Sequence, residues 1–145
     1  QAATIWSTAV RNQRQLSLIM LDLDHFKTIN DLHGHAIGDQ ALQLTANMLA
    51  QSCRGGDVLA RWGGEEFLLL LPETAITEAL ALAERLRAGI QALELGEGHK
   101  QLSLSASFGV IERSSQCQLE QLINQADRLL YVAKHSGRNR VCRED

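Results

Sequence analysis

The sequence predicts an α/β fold, a central mixed sheet flanked by helices, and three features point to it. Leu16–Leu21 is a short apolar run that ends at Asp22, a length suited to a buried strand. Two further apolar runs flank Gly63-Gly64, as in a β-hairpin. Segments with helical apolar spacing alternate with these strands, so helices can cover the sheet.

Residues 2 to about 14 have helix-compatible composition but no start signal. After the first strand, Phe26 and Ile29 mark a short helix from Asp24 to about Leu32, which Gly34 can end. A second helix over Ile37–Ser52 carries Ala41, Leu42, Thr45, Met48 and Leu49 on one face, and Gly55-Gly56 breaks it. Val58–Trp62 and Glu65–Leu71 are the hairpin strands, with both glycines expected at positive φ, and Pro72 closes the second. A third helix is expected over Ile76–Leu93, then a turn at Gly96-Glu97-Gly98. Polar and apolar residues alternate from Leu102 to Phe108, the period of a half-buried strand. Leu119, Leu122, Ile123, Ala126, Leu129 and Leu130 form a last helical stripe ending at Gly137, and Val141-Cys142 adds an edge strand.

With 145 residues the expected organisation is one domain, 1–145. Hydrophobic residues at 45% and charged residues at 21% exclude a disordered chain. No apolar run reaches the ~18 residues of a membrane span, and the first residues lack a signal-peptide layout, so the expected compartment is the cytoplasm. Lys and Arg total 14 against 17 Asp and Glu. The basic excess of a nucleic-acid binder is absent, and no nucleic-acid partner is expected. The cysteines Cys53, Cys117 and Cys142 have no C-x-x-C spacing and predict neither a disulfide framework nor a zinc site. His25, His33 and His35 lie close together, but with no cysteine near them they fit structural roles better than zinc ligation.

Asp22 and Asp24 stand where a buried strand meets a helix, and Glu65 and Glu66 follow two glycines at the hairpin tip. Carboxylates so placed are hard oxygen donors of the kind Mg²⁺ uses alongside substrate phosphates. The helix N-terminus near Phe26 and Lys27 offers backbone N–H groups to a phosphate. Turns also favour these residue types, so spacing alone leaves the question open.

Arg61-Trp62-Gly63-Gly64-Glu65-Glu66-Phe67 closely resembles the signature of the GGDEF family of diguanylate cyclases in its G-G-E-E-F form. Asp22–Asp31 is similar to the family's D-[IL]-D-x-F-K-x-I-N-D, Gly34–Asp39 to its G-H-x-x-G-D, and Lys134–Asn139 to its K-x-x-G-R-N. The resemblance covers nearly the whole chain. It implies a fold like the palm of nucleotidyl cyclases, with a ferredoxin-like core. The implied reaction condenses two GTP into cyclic di-GMP and two pyrophosphates, across two copies of the domain that face each other as a homodimer.

By the match, Asp22, Glu65 and the carbonyl of Leu23 would bind Mg²⁺ or Mn²⁺. Glu65 or Glu66 would take the 3′-OH proton, and Lys27 would stabilise transition-state charge. Lys134 and Arg138 would hold phosphates, with Phe26 beside the nucleotide. Asn30 and Asp39 would read guanine with His35 close by, although Asp39 near a helix start could instead be an N-cap. Arg54 and Asp57, an R-x-x-D upstream of the signature, with Arg85 on the third helix, match the family's inhibitory product site. The family's D-x-L-T-G-L-x-N-R segment is missing, so the N-terminal edge is read as truncated and an upstream sensor domain is expected. An alternative from another class is a weak or silent domain that binds cyclic di-GMP or GTP as a regulatory module.

Overall fold

The computed structural model describes residues 15–95, 102–114 and 117–144. Nine elements follow in order: β1 (Leu16–Leu23), α1 (Phe26–His33), α2 (His35–Ser52), β2 (Val58–Arg61), β3 (Glu66–Pro72), α3 (Ile76–Gln91), β4 (Ala106–Glu112), α4 (Leu119–His135) and β5 (Val141–Arg143). This is the expected order. The expected leading helix and the turn at Gly96-Glu97-Gly98 lie outside the described residues.

The five strands run β2-β3-β1-β4-β5. β1 pairs antiparallel with β3 and with β4, β2 pairs antiparallel with β3, and β5 lies parallel to β4. The sheet is therefore mixed. β1 is central and buried on both faces, which accounts for its unbroken apolar run. On one face Ile19, Leu21, Phe67, Leu69 and Phe108 pack with Ile29, Leu42, Leu49 and Leu86 of α1, α2 and α3. On the other, Leu18, Met20, Leu68 and Leu70 pack with Leu122, Ala126 and Leu130 of α4. Odd and even positions of β1 thus feed two separate cores, as the two-residue strand period requires.

Two local readings are corrected. Gly63 and Gly64 do not adopt positive φ; among described glycines only Gly34 and Gly137 do. The connection is longer than a two-residue turn, because Trp62 to Glu65 all lie between the strands. Trp62 and Gly63 donate their N–H groups to Glu66 O at 2.8 and 3.2 Å, and Arg61 Nε donates to Gly64 O at 3.0 Å. Hydrogen bonds, not left-handed glycines, close this loop. The alternation at Leu102–Phe108 also does not mark a half-buried strand. β4 begins at Ala106 and continues to Glu112, buried except at its end. Ser105 and Ser107, polar in that pattern, face a buried carboxylate instead of water. Among the described residues, no helix is long and apolar enough to cross a membrane.

Candidate active site

The register of β1 on β3 sets Asp22 directly opposite Glu66. Facing residues of an antiparallel pair hold their Cβ atoms about 5 Å apart, so two carboxylates are forced together. Both lie on the even-numbered face, under α4, whose Asp127 and Lys134 flank them. Lys134 Nζ stands 3.3 Å from Asp22 Oδ1. That oxygen is buried, and the geometry completes no hydrogen bond to it. Glu65 sits in the adjoining loop, where its carbonyl accepts the Leu23 N–H at 3.3 Å.

The electrostatics record this crowding. Burial pushes the Asp22 carboxyl up from 3.8 to about 6; Glu65 and Asp24 add to the rise and Lys134 opposes it. Burial raises Glu66 from 4.5 to about 7, with Asp127 and Asp22 as the next contributors. Folded Asp22 and Glu66 hold their protons more tightly than the unfolded chain does. The folded state is therefore favoured below pH 4 and loses stability as pH rises through about 6 to 7. Scanning calorimetry without divalent cations should show the melting temperature falling from pH 5 to pH 8. The loss is of order 1 kcal/mol after solvent screening. Mg²⁺ should restore part of it at pH 8 and little at pH 5, because ligation needs the ionised carboxylates. A profile flat in both pH and Mg²⁺ would contradict the carboxylate cluster.

Among the described residues, no group of three or more His, Cys, Asp or Glu side chains is arranged to hold a metal by itself. Two or three carboxylates, one with a buried oxygen held only by the Lys134 ion pair, nevertheless fit Mg²⁺. That ion keeps part of its shell for water and phosphate and binds through one or two carboxylates.

Asp24 is only 3% exposed. Its Oδ1 accepts from Ser107 Oγ at 2.6 Å, and its Oδ2 accepts from Ser105 Oγ at 2.7 Å and from Asn139 N–H at 3.0 Å. With both oxygens saturated by protein hydrogen bonds it serves structure, whereas Asp22 is held only by its ion pair with Lys134.

The α1–α2 hairpin occupies the other face. α1 begins at Phe26 because His25 adopts a left-handed φ of 55°, and no side chain caps its first N–H groups. The helix start expected near Phe26 and Lys27 is present. Lys27 in its first turn is exposed. Gly34, at φ 91°, joins the two helices. Asp39 lies inside α2, whose N-cap is Gly34, so the N-cap reading of Asp39 is excluded. Asp39 and His35 are both exposed. Asn30 packs over Gly38 so closely that a Cβ there would meet Asn30 Oδ1 at 1.7 Å. Asn30 Oδ1 is itself buried without a hydrogen bond.

Arg138, half-buried, follows α4 in the loop 136–140, with φ 60°. Asp127, which touches Glu66, and Arg87, which touches Asn139, were not singled out from sequence. The signal for Asp127 was its position seven residues before Lys134, on the same face of one helix.

Arg54, Asp57 and Arg85 line one cavity of about 280 Å³ with Thr74 and Glu78. Asp57 Oδ2 accepts the Arg54 N–H at 2.8 Å, and the Arg54 guanidinium also donates to Thr74 Oγ1. Ser17 Oγ donates to Thr74 O, so this cavity sits at the Leu16–Pro72 end of the β1–β3 pair. That end lies about 20 Å from Glu66 along the strand.

The family model of the diguanylate cyclase GGDEF domain matches residues 1–140. The chain belongs to this family. Diguanylate cyclase VdcA of Vibrio cholerae is 45% identical over 137 residues, 92% of this chain and 40% of that protein. Diguanylate cyclase DgcM of Escherichia coli is 42% identical over 125 residues, 86% of this chain and 30% of that protein. This GGDEF domain thus spans well under half the length of these curated relatives. The GGDEF domain of DgcB from Caulobacter crescentus, solved in complex with c-di-GMP, superposes with a TM-score of 0.91 at 29% identity. The superposition covers 97% of this chain and 84% of that one. The active GGEEF domain of a Vibrio cholerae diguanylate cyclase gives 0.91 at 31% identity, covering 98% and 90%. The palm-like fold expected from the motifs is the fold these GGDEF domains share.

Proposed function

We propose that this domain condenses two GTP into cyclic di-GMP, releasing two pyrophosphates, when two copies face each other. The observation that carries this is the pairing of Asp22 with Glu66 beside Glu65, with Asp22 Oδ1 buried and neutralised only by the Lys134 ammonium 3.3 Å away. Asp22, Glu65 and the Leu23 carbonyl would hold Mg²⁺ or Mn²⁺. The bound cation would offset negative charge developing on the α-phosphate and the leaving pyrophosphate. Lys27, Lys134 and Arg138 bring positive charge to the phosphates, and the uncapped N-terminus of α1 adds backbone donors. Phe26, Asn30, His35 and Asp39 form the guanine end. Asp39 accepts from the guanine N1–H and exocyclic amine, an edge adenine lacks.

The 3′-OH held by one copy attacks the α-phosphate held by the other, and Glu65 or Glu66 takes its proton. Burial, with Asp127 and Asp22 close by, raises the Glu66 carboxyl in the cation-free domain, the direction that makes a carboxylate a better base. Incubation with GTP and Mg²⁺, followed by chromatography, should reveal cyclic di-GMP. Its absence at micromolar enzyme, with GTP binding intact, would leave the regulatory-module reading in its place.

The Arg54–Asp57–Arg85 cavity supports a second part of the reading, that product binds there and inhibits. Two arginine forks suit its phosphates and guanines. Ligand at that end of the sheet cannot block GTP directly. It must favour a non-productive arrangement of the two copies. Arg54→Ala is expected to weaken cyclic di-GMP binding about ten- to a hundredfold by calorimetry. Unchanged affinity, or none in the parent, would leave R-x-x-D as a solvated turn.

A further inference from the structure

Gly137, Arg138 and Asn139 form an unbroken run of positive φ, at 126°, 60° and 47°. Glycine adopts this region freely and asparagine tolerates it, but arginine does so at a cost, so such a conformation persists only where its surroundings over-determine it. Three contacts do so here. The Arg138 N–H donates to Ala133 O at 3.0 Å, which merely continues the end of α4. The Asn139 N–H donates to Asp24 Oδ2 at 3.0 Å, and Asp24 is anchored in turn by Ser105 and Ser107 of the β4 approach. The Asn139 side-chain oxygen accepts from Arg87 Nη1 at 3.0 Å. Arg87 is held on α3 by Glu84, which accepts from its Nε at 3.0 Å through each carboxylate oxygen. Its side chain is only 20% exposed.

We infer that Asp24 and Arg87 are positioning residues: they clamp Asn139 from the turn after β1 and from α3, and so fix the left-handed turn that presents Arg138 to the substrate phosphates. The inference rests on the phosphate role proposed above for Arg138. Asp24 holds the loop by its backbone and Arg87 by the Asn139 side chain, from a helix whose other functional candidate, Arg85, faces the distant cavity.

The test uses Arg87→Met, which keeps the apolar stem and removes the donor, because Asp24 is too buried for a substitution to be read cleanly. Amide hydrogen exchange should show Asn139 N–H protection falling about tenfold while the sheet amides stay unchanged. Affinity for 3′-deoxy-GTP, which binds but cannot cyclise, should fall about three- to tenfold. Affinity for guanosine should not move, whereas general loosening of the fold would weaken both. In combination with Arg138→Met, Arg87→Met should cost little beyond Arg138→Met alone. Unchanged Asn139 protection, equal losses for both ligands, or additive losses in the double variant would each overturn the clamp. If the parent itself bound 3′-deoxy-GTP no better than guanosine, the phosphate role of Arg138 and the clamp's purpose would fall together. The exchange result would then still show whether Arg87 holds the turn.

Discussion

Glu65→Gln is expected to lower the rate of cyclic di-GMP formation by about 10²-fold or more. The amide has nearly the same shape, and the loop is held by main-chain bonds, Leu23 N–H to Glu65 O and Trp62 N–H to Glu66 O, which the change does not touch. The melting temperature should therefore stay close to that of the parent. What changes is charge. Glu65 is one of the groups that raise Asp22, so its removal takes an anionic ligand from the cation and relieves the crowding at Asp22. Product formation measured at saturating Mg²⁺, with circular dichroism to confirm the fold, separates the two effects. A variant that turns over GTP at the parent rate would remove Glu65 from the machinery.

Gly109→Ala should act on the fold first and on the chemistry only through it. A Cβ on Gly109 would lie 2.3 Å from Ala126 O and 2.6 Å from Leu130 N, both backbone atoms of α4. No rotamer change relieves such a clash, so the helix must move off β4. The expected cost is about 3 kcal/mol, at the upper end for overpacking. In a domain of this size that lowers the melting temperature by about 10 °C. Because α4 carries Asp127 and Lys134, activity should fall even where the variant remains folded. A melting temperature within about 2 °C of the parent would mean that α4 is less tightly seated than described.

Most of the architecture was readable in the sequence because its segments obey one period at a time. β1 is wholly apolar up to Asp22, and the stripes of α2, α3 and α4 each repeat at helical spacing. Reading failed where a polar residue answers a buried partner. Ser105 and Ser107 alternate with apolar neighbours as a half-buried strand would, yet Asp24 claims both hydroxyls. The Gly63-Gly64 pair suggested a tight turn, whereas Arg61 and Glu66 shape a longer loop by hydrogen bonds that a linear pattern does not encode. At the site, short motifs pointed to the acids and to Arg54, and Arg85 was singled out by its place on the third helix. The contacts of Arg87 and Asp127 depend on how α3 and α4 cross the sheet, and no local spacing announces them.

The outermost strands are short: β2 has four residues and β5 three. Each ends in an arginine, Arg61 and Arg143, and both are exposed. A long, flat, uncharged edge is a template on which another molecule can extend the sheet, and short cationic edges discourage it. A domain whose proposed chemistry requires meeting its own copy must spend time at high local concentration without fusing strand to strand. The borders of this sheet make repeated, reversible encounters compatible with solubility.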